Sequence, residues 1–124
     1  MNKTRENLAI ALDLINTEGW TIAELWDRDS GGYCLLGAIY AARTGARRFD
    51  PKEVEVAAYQ DSSEVEAVAV ALRDEGHVDE EQLNEFREDG ELHALVYTFN
   101  DMTGRQKEEV IDVLSRAIEA AGQA

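Results

Sequence analysis

The chain is predicted to fold as an all-α protein, a compact single-domain bundle of about six helices spanning residues 1–124. Three observations predict this. Apolar residues recur at i, i+3, i+4 and i+7 in segment after segment, which is the period of a helix with one buried face. Glycine or Asx-containing breaks separate those segments. The 44% apolar content is too high for a disordered acidic chain, and 124 residues suit one domain of roughly 100–150 residues. A chain of this size buries roughly 65–70% of its unfolded surface, so its core needs neither metal nor disulfide.

The first helix is expected from about Thr4 to Thr17. Leu8, Leu12 and Ile15 form its stripe with Ala11, Thr4 and Asn7 make the cap region, and Gly19 is the stop. Trp20 to Trp26 admits two readings. It is a short strand or extended segment, in the first case part of a hairpin near residues 20–33, or a short helix opened by a Thr21/Glu24 capping box. Asp29-Ser30-Gly31-Gly32 is a turn. Tyr33 to Arg43 is the most apolar segment. Cys34, Gly37, Ala38 and Ala41 form a stripe of small residues that lets another backbone approach, while Leu35, Leu36, Ile39 and Tyr40 cover the other sides. Thr44-Gly45 ends this central helix, and Arg43, Arg47 and Arg48 make a basic cluster near its C-terminus, where cations complement the dipole.

Asp50-Pro51-Lys52-Glu53 predicts a helix start, with Asp50 as cap and Pro51 at the first helical position, running to about Tyr59. Asp61-Ser62-Ser63 opens a helix to about Glu75 carrying Val65, Val68, Ala69 and Leu72, and Gly76 stops it. Val78 to Arg87 is a polar helix with Leu83 and Phe86 as apolar contacts, broken at Asp89-Gly90. Leu92, Leu95, Val96 and Phe99 mark the next helix. Asn100 to Thr103 is expected as a loop, its Asn-Asp pair serving capping chemistry. Thr103 with Gln106 caps a last helix bearing Val110, Val113, Leu114, Ala117, Ile118 and Ala121.

Composition excludes several function classes. With one cysteine, Cys34, no intramolecular disulfide is possible, which fits a cytoplasmic setting. Asp13 and Asn16 interrupt the N-terminal apolar run, so no signal peptide is expected. The uncharged run from Ser30 to Ala42 is too short to span a bilayer. A formal net charge of −14 argues against direct binding to nucleic acid or to an anionic membrane.

Two stretches carry a resemblance. Tyr33-Cys34-Leu35-Leu36-Gly37-Ala38-Ile39 is similar to the C-x-x-G-A helix start of a group of small uncharacterised proteins from actinobacteria and their phages. Phe99-Asn100-Asp101-Met102-Thr103-Gly104-Arg105, followed by Glu109-Val110 and Val113-Leu114, resembles that group's C-terminal pattern, an Asn-Asp turn leading into a G-R-T-x-x-E-V-x-x-x-L helix. The chain departs from the pattern at Phe99, where the group has tryptophan, and at Gln106, where it has threonine. The resemblance implies a helical fold and a phage or actinobacterial setting, and brings no activity with it.

The charge is unevenly placed. Residues 1–62 hold ten acids and seven bases; residues 63–124 hold sixteen acids and five bases. Between residues 64 and 91, eleven acids face only Arg73 and Arg87. Those acids, Glu64, Glu66, Asp74, Glu75, Asp79, Glu80, Glu81, Glu85, Glu88, Asp89 and Glu91, are the candidate partner-binding residues. They suit a protein with a basic surface, and in the sharper version a nucleic-acid-binding host protein whose phosphate sites the carboxylates would occupy. The bland reading is a solvated helical face.

Other constellations are weaker. Cys34, His93 and Asn100 follow the Cys, His, Asn order of papain-like enzymes, and a helix N-terminus lowers a thiol's pKa, but the small residues around Cys34 equally fit core packing. His77, Asp79, Glu80, Glu81 and Glu85 match no metal-ligand spacing, so no metal or cofactor is expected. Trp20, Trp26 and Tyr33 could line a small-molecule pocket, although large aromatics more commonly fill cores. The leading expectation is therefore an acidic, cytoplasmic, phage-related interaction module. The alternatives are a cysteine-dependent enzyme using Cys34 and a small-molecule binder.

Overall fold

A computed structural model describes residues 2–122. Among them the chain forms seven helices: α1 (Lys3–Glu18), α2 (Leu35–Thr44), α3 (Glu55–Ala58), α4 (Ser63–Asp74), α5 (Glu80–Glu88), α6 (Leu92–Asp101) and α7 (Lys107–Ala121). The first helix starts earlier than its stripe suggested. Asn2 is the cap, its Oδ1 accepting from the Arg5 N–H at 3.1 Å, while the Thr4 hydroxyl pairs across the fold with that of Ser63 at 2.8 Å.

The aromatic segment between α1 and α2 is neither a hairpin nor a helix. Tyr33 pairs singly with two neighbours, parallel to Trp20 and antiparallel to Trp26. Its N–H donates to the Gly19 carbonyl and its own carbonyl accepts from Thr21, so both ends of the loop close on one residue. Cys34 then caps α2, whose residues Leu35 to Ile39 are all buried.

Three expected helix boundaries are displaced, two starts and one end. After Asp50 the chain makes a turn: Asp50 Oδ1 accepts from the Lys52 N–H, and the Asp50 carbonyl from Glu53. Helical bonds begin only where Ala58 donates to Val54, which leaves α3 four residues long. Asn100 and Asp101 belong to the last turn of α6 rather than to a loop. The cap of α7 is Gln106, not Thr103, because the Glu109 carboxylate reaches back to the Gln106 N–H at 2.9 Å. At α5 the box is reciprocal: Asp79 Oδ1 accepts from the Gln82 N–H, and Gln82 Oε1 from that of Asp79.

One continuous core joins these elements. Leu8, Ala11 and Ile15 of α1 pack with α2, α4 and α7, and Val65, Val68 and Leu72 of α4 meet α6 and α7. The polar helix α5 rests on α4 and α6 through Leu83, its one buried residue, with Phe86 half-buried beside it. α5 therefore lies on the outside of the bundle. No helix among the described residues is long and apolar enough to cross a membrane.

Candidate functional site

The eleven acids divide according to their neighbours. Glu64 leaves the candidate surface altogether: it is 4% exposed, accepts from Asn7 Nδ2 at 3.2 Å and lies 3.4 Å from the Arg43 guanidinium. A buried carboxylate needs such partners to offset the hydration it has lost. Glu66 pairs with Arg87, Glu80 with Arg73, and Asp74 with Arg73 and Arg116, while Asp79 caps α5. Glu75, Glu81, Glu85, Glu88, Asp89 and Glu91 are exposed, with no cation within 4.0 Å among the described residues. Glu81, Glu85 and Glu88 fall at i, i+4 and i+7 on one side of α5, about 6 Å apart per four residues. Like charges at that spacing weaken a helix by roughly 0.2–0.5 kcal/mol per pair.

No hydrogen bond joins Cys34, His93 and Asn100 to one another among the described residues. Cys34 is 5% exposed, and its Sγ accepts from the Gly37 N–H at 3.4 Å. Burial pushes its thiol up to about 12, outweighing the help of the Gly37 N–H, the reverse of an activated nucleophile. His93 is engaged elsewhere, its Nδ1 lying 2.7 Å from Asp61 Oδ1. Labelling of the folded protein with a thiol reagent at neutral pH is expected to be slow and to track global unfolding in denaturant. Rapid stoichiometric labelling without denaturant would show an accessible, ionised Cys34.

Asn100 is the residue whose role the sequence pattern understated. It is fully buried, and its side chain ties three segments together. Oδ1 accepts from the Trp20 indole N–H at 2.7 Å and from the Leu35 N–H at 3.1 Å, the first amide of α2. Nδ2 donates to the Thr21 carbonyl and to Asp101 Oδ1, which also takes the Ala23 N–H at 3.0 Å. That last contact holds Ala23 at φ +69, a left-handed conformation unusual for a residue with a Cβ. The available signal was position: Asn100 lies four residues after Val96, so it continues the buried stripe of α6 as a polar residue.

Asp61 accepts from the Leu92 and His93 N–H groups as well as from the His93 ring, and so closes the N-terminus of α6 from a distance. Burial would raise its pKa, but these hydrogen bonds prevail and hold the carboxyl below its ordinary value. A depressed carboxylate stabilises the fold above its unfolded pKa and ceases to as pH falls through its folded one. Asp61→Asn should therefore remove part of the acid-induced loss of stability below about pH 4. Denaturant midpoints measured between acidic and neutral pH check this, and parallel wild-type and variant curves would contradict it.

The three aromatics of the expected pocket are split. Trp26 and Tyr33 line a cavity of about 610 Å³ together with Asp13, Glu18, Arg28, Asp29, Arg47 and Arg48. Trp20 instead borders a separate cleft beside Met102 and Arg105. Among the described residues no three His, Cys, Asp or Glu side chains are grouped as metal ligands would be.

Residues 1–120 match the model of a family of unknown function, DUF6197. No curated protein and no solved structure matches the chain.

Proposed function

The chain belongs to that family of unknown function, and we propose that it is a protein-interaction module that docks its acidic face on a partner with a basic surface. The observation that supports this reading is the row Glu81, Glu85 and Glu88 on the outermost helix, carboxylates engaged by no cation among the described residues while Glu66, Asp74 and Glu80 close by are paired. A row that weakens its own helix is retained at a cost to stability, and complementary charge on a partner offsets that cost. Glu75, Asp89 and Glu91 flank α5 in the chain and are exposed as well. In the sharper form the partner binds nucleic acid, and the carboxylates take the place of phosphates. A cytoplasmic, phage-related or actinobacterial setting belongs to this proposal and is supported by the C-x-x-G-A and Asn-Asp resemblance.

Affinity capture from an actinobacterial lysate tests it, using the wild type and the triple variant Glu81→Lys, Glu85→Lys, Glu88→Lys. A partner retained at low salt, released at high salt and lost with the variant is expected, with unchanged helix content by circular dichroism. Competition by duplex DNA for the same partner supports the sharper form. Absence of any partner, or retention indifferent to both salt and charge reversal, overturns the proposal.

A further inference from the structure

The cavity lined by Trp26 and Tyr33 holds a charge arrangement found nowhere else in the described chain. Arg43, Arg73, Arg87, Arg105 and Arg116 each have a carboxylate within 4.0 Å, and Arg5, which has none among the described residues, lies outside the cavity against Gly122. Arg28, Arg47 and Arg48 have none among the described residues, although Asp13, Glu18 and Asp29 line the same cavity. In a chain of net charge −14, three guanidiniums left without carboxylates around one cavity leave room for an anion from outside.

Both walls are built. On one side, Arg47 Nη1 donates to the Ala41 carbonyl at 2.7 Å in the last turn of α2, and the Tyr33 hydroxyl donates to the Arg47 carbonyl. The Phe49 ring then packs against Trp26, Tyr33 and Tyr40, with centroids 6.1, 6.4 and 5.1 Å away. On the other side, the turn carrying Arg28 and Asp29 is closed by Asp27, which accepts from the Asp29 N–H and the Ser30 hydroxyl. The Gly31 N–H donates to the Asp27 carbonyl and the Trp26 indole to that of Gly31. The volume of about 610 Å³ is in the range of small-molecule sites, roughly 300–1,000 Å³.

We propose that this cavity binds a small phosphorylated molecule bearing hydroxyl groups, a ribose-phosphate unit, with the phosphate on Arg28, Arg47 and Arg48 and the hydroxyls donating to Asp13, Glu18 or Asp29. The planar fork of a guanidinium donates two parallel charge-assisted hydrogen bonds to two oxygens of a phosphate, and carboxylates accept from sugar hydroxyls. Long nucleic acids are disfavoured as occupants, because the rest of the surface repels a polyanion. The site stands apart from the acidic face on α5, so each proposal can fail alone.

Titration calorimetry of the full chain with ribose 5-phosphate, adenosine monophosphate and inorganic pyrophosphate tests it. Ribose 5-phosphate is expected to bind, and adenosine monophosphate separates a nucleotide site from a sugar-phosphate site by binding more or less tightly. Arg28→Gln and Arg48→Gln, both at exposed side chains, should each weaken binding by about tenfold, the loss of one charge-assisted contact. Asp29→Asn should weaken the two sugar-bearing ligands and leave pyrophosphate unchanged. No heat of binding from either sugar phosphate at millimolar concentration, or binding indifferent to both arginine variants, would overturn the assignment. Pyrophosphate binding as tightly as ribose 5-phosphate would remove the role of the carboxylates.

Discussion

Asn100→Ala is expected to destabilise the protein by roughly 3–5 kcal/mol, more than any other polar-to-alanine change in the chain. The substitution strands three groups at once. The Trp20 indole N–H and the Leu35 N–H lose their shared acceptor, and the Thr21 carbonyl loses its donor. Each buried polar group left unpaired costs roughly 1–3 kcal/mol; half-buried Trp20 is placed to recover part of its share from water, so the sum falls short of the maximum. Asn100→Asp is the informative companion. It retains an acceptor for Trp20 and Leu35 but faces Asp101 Oδ1, 2.8 Å from the present Nδ2, with a second carboxylate. It too should destabilise at neutral pH, and should recover as pH falls and the new group protonates into a donor. Urea unfolding with an unchanged slope reads both effects. An Asn100→Ala loss under about 1 kcal/mol would mean that the loop from Trp20 to Tyr33 keeps its shape without this side chain.

That hub shows where local patterns stop informing. Asn100 and Asp101 stood out in the sequence as capping residues, and the reason was sound for an Asn-Asp pair between two helical stripes. Their actual partners, Trp20, Thr21, Ala23 and Leu35, lie 65 to 80 positions earlier in the chain, beyond the reach of spacing rules. The same limit governs the acidic segment. Its concentration between residues 64 and 91 was plain from a count. That Glu64 is buried while Glu81 is free depends on Asn7 of α1 and Arg43 of α2, which no charge count brings beside it.

Periodicity, by contrast, carried most of the bundle. The stripes around Leu8, Val65, Leu92 and Val110 all became core, because a helix with one apolar side has only one face to bury. Starts and stops fared less well where two chemistries competed. Asp50-Pro51 has the composition of a helix start, yet the Asp50 side chain turns the chain at Lys52 and postpones α3 to Glu55. Thr103 has the composition of a cap for the last helix, with Gln106 completing its box; the Glu109 carboxylate, three residues beyond Gln106, makes Gln106 the cap instead.

Gly37→Ala is expected to cost more than about 3 kcal/mol, or to prevent folding, although alanine is the better helix former by roughly 1 kcal/mol. The small-residue stripe of α2 foretold a close approach without naming what approaches. It is the backbone of Leu25: a Cβ on Gly37 would lie 1.7 Å from the Leu25 carbonyl oxygen, 2.6 Å from its carbon and 3.0 Å from its Cα. A flexible side chain could swing away from such a clash, but this carbonyl accepts from the Cys34 N–H at 3.3 Å at the cap of the same helix. Relief therefore means lifting α2 off the loop, which also pulls Leu35 from Asn100 and exposes Leu36 and Ile39, now at most 2% accessible. Gly90→Ala supplies the contrast. Gly90 has φ +70 and nothing within 4 Å of an added Cβ, so only the left-handed backbone cost of about 1–2 kcal/mol applies. Thermal unfolding of the two variants beside the wild type separates steric exclusion from backbone preference. Gly37→Ala melting no lower than Gly90→Ala would show that the contact between α2 and Leu25 yields, and that the bonds of Tyr33, Asn100 and Asp101 hold the loop without it.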